Sequence, residues 1–74
     1  MEVIIYTTST CPYCTMAKNM LEENEISYKE IQIEFGSEEL DDLIKKTHHK
    51  TVPQIFIDGK FIGGYDDLNK FLKL

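Results

Sequence analysis

Cys11 and Cys14 are the only two cysteines of the chain, and only Pro12 and Tyr13 separate them. Two sulfurs at this spacing can join and part within one chain, as thiol–disulfide exchange requires. A bridge closing so short a loop constrains the unfolded chain very little. It would be a poor structural staple, and redox chemistry explains the pair better. An apolar, β-branched run (Val3-Ile4-Ile5-Tyr6-Thr7) and a polar loop (Thr8-Ser9-Thr10) lead into the motif, and a helix-like stretch follows it. Cys11 then falls just before a helix, where free N–H groups and the helix dipole favour a thiolate. Cys14 falls one turn in, nearer the interior, and is expected to keep its proton longer. The asymmetry assigns Cys11 as the attacking sulfur and Cys14 as the resolving one.

The elements that must hold this pair follow from periodicity and turn chemistry. Residues 2–7 read as a buried strand. Pro12 suits the first turn of a helix that runs to about Asn24, with Ala17, Met20 and Leu21 at helical spacing. Alternation over Tyr28 to Ile33 predicts a second strand. Ser37 is a candidate N-cap, followed by Glu38 and Glu39 in a first turn, and Leu40, Leu43 and Ile44 form an apolar stripe. Gln54 to Ile57 reads as a third strand. Asp58-Gly59 is a tight-turn signal, so Lys60 to Ile62 returns antiparallel until Gly63-Gly64 breaks it. A last helix starts near Tyr65, with Leu68, Phe71 and Leu72 inward. The order β-α-β-α-β-β-α implies an α/β fold: a four-stranded mixed sheet with helices on both faces and a right-handed first crossover.

Seventy-four residues are enough for one domain, expected to span 1–74. The apolar share of 42% supports a small core, since a chain this short buries roughly 60% of its unfolded surface. Two cysteines are too few for a secreted disulfide scaffold. No basic or apolar leader opens the chain, and no apolar run approaches the ~20 residues of a membrane helix. A cytoplasmic protein in a reducing compartment, with no membrane partner, is expected. The net charge of −5 argues against generic binding to nucleic acid. The chain has no arginine, so an anion must be held by lysine, backbone N–H groups or helix ends. His48-His49 with Cys11 and Cys14 would make a four-ligand metal set, but adjacent histidines rarely converge on one ion. They read as a solvated pair, and no metal is expected.

Three separated motifs, in order, make the chain resemble a dithiol glutaredoxin: Cys11-Pro12-Tyr13-Cys14, Thr51-Val52-Pro53 and Gly63-Gly64-Tyr65-Asp66-Asp67-Leu68. The resemblance spans nearly the whole chain. It implies the thioredoxin fold with strand order 2-1-3-4, and a glutathione-dependent oxidoreductase that reduces protein disulfides and glutathione mixed disulfides. Glutathione is then the co-substrate, disulfide-bonded or glutathionylated proteins are the partners, and a monomer is expected. By the same resemblance Val52-Pro53 is a cis-proline loop, on which the extended backbone of glutathione pairs with Val52. Thr51 belongs to that loop. The start of the last helix holds the γ-glutamyl carboxylate, Asp66 or Asp67 holds its ammonium group, and Gly64 lets the ligand backbone approach. Lys50 matches an often basic position that could hold the glycine carboxylate, and Tyr13 could line the thiol site.

One position departs from the pattern. Thr8 stands where many dithiol glutaredoxins carry a lysine whose charge would favour both a thiolate and glutathione. This departure supports an alternative, a glutaredoxin-like electron donor to ribonucleotide reductase recharged by thioredoxin reductase. A second alternative, a carrier that bridges a [2Fe–2S] cluster between two subunits, is disfavoured by Pro12 beside the cysteine.

Overall fold

The computed structural model describes residues 1–73; Leu74, the last residue of the expected domain, lies outside them. Along the chain run β1 (Val3–Thr7), α1 (Pro12–Glu23), β2 (Lys29–Gln32), α2 (Glu38–Thr47), β3 (Gln54–Ile57), β4 (Lys60–Gly63) and α3 (Tyr65–Leu72). The sheet order is β2-β1-β3-β4. β1 pairs parallel with β2, while β3 lies antiparallel to both β1 and β4. This is the thioredoxin fold that the three motifs imply.

Alternation along β1 separates two cores. Val3 and Ile5 point to one face, where Ala17 and Leu21 of α1 and Leu68 of α3 close over them with Ile55 and Ile57 of β3. Ile4 and Tyr6 point to the other, where Leu40 and Leu43 of α2 pack with Ile33 and Phe56. Ile5, Leu21, Ile55 and Leu68 are wholly buried, which stabilises the fold by roughly 1.5–3 kcal/mol for each side chain.

The ends of the elements follow local chemistry. Ser37 Oγ caps α2 by accepting from the Leu40 N–H at 3.3 Å. Glu38, Glu39 and Asp41 then sit at the positive end of the dipole, and Lys45 and Lys46 at the negative end. His48 closes α2 in the left-handed conformation, its N–H on the Ile44 carbonyl. Asp58 and Gly59 both have positive φ, the turn that a two-residue hairpin requires.

Two expectations are corrected. Phe71 is not inward: it is 40% exposed. The stripe of α3 that meets the core runs through Tyr65, Leu68 and Leu72, and Phe71 stands on its flank. Gly63 does not break β4 but ends it: it pairs with Ile55 beyond an irregularity in the ladder. Its φ is +125°, and a Cβ there would collide with the Asp67 carboxylate.

Candidate functional site

The chain leaves β1, turns through Thr8-Ser9-Thr10 and enters α1 with Cys11 as the N-cap residue and Pro12 first inside the helix. Cys11 Sγ thereby takes the place usually held by a capping oxygen, and it accepts the Cys14 N–H at 3.2 Å. Cys11 is half-buried and Cys14 buried, and both are free thiols. Burial pushes the Cys14 thiol up to about 12, helped by its hydrogen bond to Cys11, while a backbone hydrogen bond with Thr8 works against both. At neutral pH Cys14 is therefore a thiol. Its ammonium neighbour Lys18 is paired with Glu30 at 3.1 Å.

The second wall comes from the loop between α2 and β3. The Val52-Pro53 bond is cis, and the Val52 carbonyl accepts from Cys11 Sγ at 3.4 Å. Buried Gln54 ties this loop down. Its amide donates to the His49 carbonyl at 2.6 Å and the Thr51 carbonyl at 3.2 Å, and its oxygen accepts from Thr47 at 2.9 Å. A primary amide at the head of β3 thus satisfies backbone groups that the irregular loop leaves without sheet partners. Sequence reading placed Gln54 only at the start of a strand. A polar residue heading the apolar run Ile55-Phe56-Ile57 was the available signal.

The third wall is the start of α3. Asp67 accepts the Gly64 N–H at 3.3 Å, the returning half of a capping box, so this carboxylate is engaged with its own helix. Asp66 is exposed one position earlier. A Cβ on Gly64 would stand 3.3 Å from the Pro53 carbonyl and 3.4 Å from His49 Nε2. The missing side chain lets the start of α3 close against the proline loop. Tyr13 and Tyr65 flank the opening, their rings 5.9 Å apart.

These walls enclose an open groove of about 420 Å³ that brings together Tyr13, Thr51, Val52, Pro53, Gly64, Asp66 and Asp67. Cys11 and Lys50 lie across the Thr51–Val52 wall, on a second cleft of about 290 Å³. His49 also lines the groove. It is not the solvated residue that the sequence suggests but half-buried, edge-on to Phe61 and within 3.2 Å of the Thr51 hydroxyl. His48, in contrast, is exposed. Among the described residues no three His, Cys, Asp or Glu side chains are grouped to hold a metal ion. None of the described helices is long and apolar enough to cross a membrane.

The chain has the features of a thiol–disulfide exchange site: a half-buried sulfur at a helix start, a buried partner thiol one turn inside, and an extended backbone segment against the first. Its similarities to known proteins agree. The glutaredoxin family model matches residues 3–62. Glutaredoxin 3 of Escherichia coli K12 is 47% identical over 67 residues, covering 90% of this chain and 81% of that protein. The mitochondrial glutaredoxin-2 of Bos taurus is 42% identical over 96% of this chain. The chain spans 47% of the length of that relative. The crystal structure of a buckwheat glutaredoxin–glutathione complex superposes with a TM-score of 0.85 at 25% identity, over 96% of this chain and 67% of that one. On fold, site and similarity together, the chain belongs to the glutaredoxin family.

Proposed function

We propose that the chain is a dithiol glutathione-dependent oxidoreductase that reduces protein disulfides and glutathione mixed disulfides. The observation that carries this is the placement of Cys11 Sγ, 3.4 Å from the carbonyl of Val52, a residue that walls the groove running to Asp66 and the start of α3. A short extended peptide lying on Val52 would present its sulfur to Cys11. Its amino end would reach Asp66, while the N–H groups of α3 would meet its carboxylate. The buckwheat relative, solved with glutathione, supports that ligand. Lys50 would approach it from across the Thr51–Val52 wall.

The chemistry is two displacements. Cys11 thiolate attacks the glutathione sulfur of a mixed disulfide; the Cys11–glutathione bond forms, the old bond breaks and the substrate thiolate leaves. A second glutathione thiolate attacks the glutathione sulfur on Cys11, releasing glutathione disulfide and restoring the thiolate. With a protein disulfide, Cys11 thiolate first bonds to one substrate sulfur, the substrate S–S bond breaks and the other sulfur leaves as a thiolate. Cys14 then gives up its proton, attacks Cys11 Sγ and expels the substrate thiolate, and two glutathiones reduce the bridge. Because burial raises the Cys14 thiol, this closure requires its proton to leave first.

A second reading keeps the site and changes the reductant: thioredoxin reductase recharges the pair, and ribonucleotide reductase takes the electrons. It is favoured by Thr8 in place of a lysine and by Lys18 being held on Glu30.

Following NADPH oxidation with a small glutathione mixed disulfide separates the two readings. Turnover with glutathione and glutathione reductase is expected, and turnover only with thioredoxin reductase would overturn glutathione dependence. Cys14→Ser is expected to keep deglutathionylation and lose reduction of protein disulfides. Equal loss of both would sink the division of labour between the two cysteines.

A further inference from the structure

Cys11 lies on the wall of the second cleft, which glutathione held along the groove would meet beyond the Thr51–Val52 wall only through Lys50. Its apolar lining comes from Pro12, Leu40 and Val52, and Lys50 is its only charged residue. Phe35, in the loop before α2, completes it and is 87% exposed, the most exposed large apolar side chain among the described residues. An aromatic ring left this open loses the stabilisation that burial would bring, so it marks a contact surface when it borders a reacting group. The cleft is continuous with the groove, because Thr51 and Val52 line both.

We propose that this cleft is the docking site for the polypeptide part of a protein disulfide, and that Phe35 selects substrates with an apolar side chain next to the attacked cysteine. The proposal rests on Cys11 being the attacking sulfur. In the intermediate with a protein disulfide, Cys11 is bonded directly to a substrate cysteine, so the substrate backbone must pass over Val52. One flank then enters the groove that a tripeptide can fill. The other enters the cleft, where glutathione, ending in glycine, has no side chain to place against Phe35. Phe35 and Leu40 would close on an apolar side chain there, on the side of the Thr51–Val52 wall away from Asp66 and Asp67.

The test uses the reduced full chain and two disulfide-bonded peptides, identical except for leucine or serine on both sides of each cysteine. Each reaction converts the protein dithiol to its Cys11–Cys14 disulfide and the peptide disulfide to a dithiol, so two electrons move and no other reductant is needed. The leucine peptide is expected to react roughly tenfold faster, the scale of discrimination by an apolar pocket. Phe35→Ser is expected to bring the ratio near one, and Phe35→Leu to keep most of it. No preference in the wild type, or a preference that survives Phe35→Ser, would overturn the proposal. Turnover of a small glutathione mixed disulfide is measured in parallel. Its failure with the peptide preference intact would remove glutathione and leave the docking surface standing. Its success without the preference would do the reverse.

Discussion

The two faces of the sheet are built differently. On the face of α1 and α3, Ile5, Ala17, Leu21, Ile55 and Leu68 are wholly buried. On the face of α2, the buried residues Ile33, Leu40, Leu43 and Phe56 each keep 6–8% exposure. Two helices seal the first face and one covers the second. Both helix starts in the site, at Cys11 and at Tyr65, belong to the sealed face. The proline loop and the Phe35 cleft belong to the thin one. The sulfur proposed to attack and the helix ends are thus set on the more fully buried half, and the surfaces proposed to meet substrates lie on the other. Precision of the reacting group with tolerance beside it suits the proposed exchange with protein disulfides.

The largest effect expected from this comparison is on stability. Leu68→Ala on the sealed face should cost about 3–4 kcal/mol and Leu43→Ala on the thin face about 2 kcal/mol, because the second site has room to relax. In a chain of this size that gap corresponds to a difference in melting temperature of roughly 5–15 °C. Equal losses, or a larger one from Leu43→Ala, would break the distinction between the faces.

A smaller effect sharpens it. Gln54 holds the proline loop through three hydrogen bonds, to Thr47, His49 and Thr51. Gln54→Leu keeps the apolar volume but strands those partners, at about 2 kcal/mol. Because the loop carries Val52, the KM for glutathione mixed disulfides should rise several-fold while Cys11 still reacts with a small alkylating reagent at its usual rate. An unchanged KM would mean that the loop holds its shape without Gln54.

Much of this was legible in the chain itself. Asp58-Gly59 between apolar runs located the hairpin, Ser37 the start of α2, and the cysteine pair after a strand the site. These signals act between near neighbours, so local chemistry is enough to read them. Gln54 and His49 were not legible. Their roles depend on where the end of α2 meets the head of β3 and the start of α3, and neither residue type announces such a contact. Phe71 failed for a related reason: at spacings of three and four from Leu68, both Phe71 and Leu72 fit a helical stripe, and only the placement of α3 against the sheet decides between them. The exposure of Phe35 is likewise a result of packing and has no signature in an amino-acid string.

The smallest expected effect concerns how the edge of the sealed face is held. Glu30 of β2 accepts from the Thr7 hydroxyl at 2.7 Å and from Lys18 at 3.1 Å, which joins both parallel strands to α1 where apolar contact runs out. These hydrogen bonds, with that from Thr7 the stronger influence, hold its carboxyl below the ordinary value of 4.5. The native state therefore releases the proton more readily than the unfolded chain, and the unfolded chain binds more protons in the window below 4.5. Stability from Glu30 is present above that value and is lost as pH falls through the lowered one. Glu30→Gln keeps an oxygen for Thr7 and removes the charge. It should cost no more than about 1 kcal/mol at neutral pH, as a solvent-exposed pair does, and the variant should lose less stability than the wild type on acidification below 4.5. Denaturant titrations at pH 7 and at several points below 4.5 measure both. Parallel acid profiles would mean that the hydroxyl and ammonium hold Glu30 equally well protonated, and that the edge of this face is closed by shape alone.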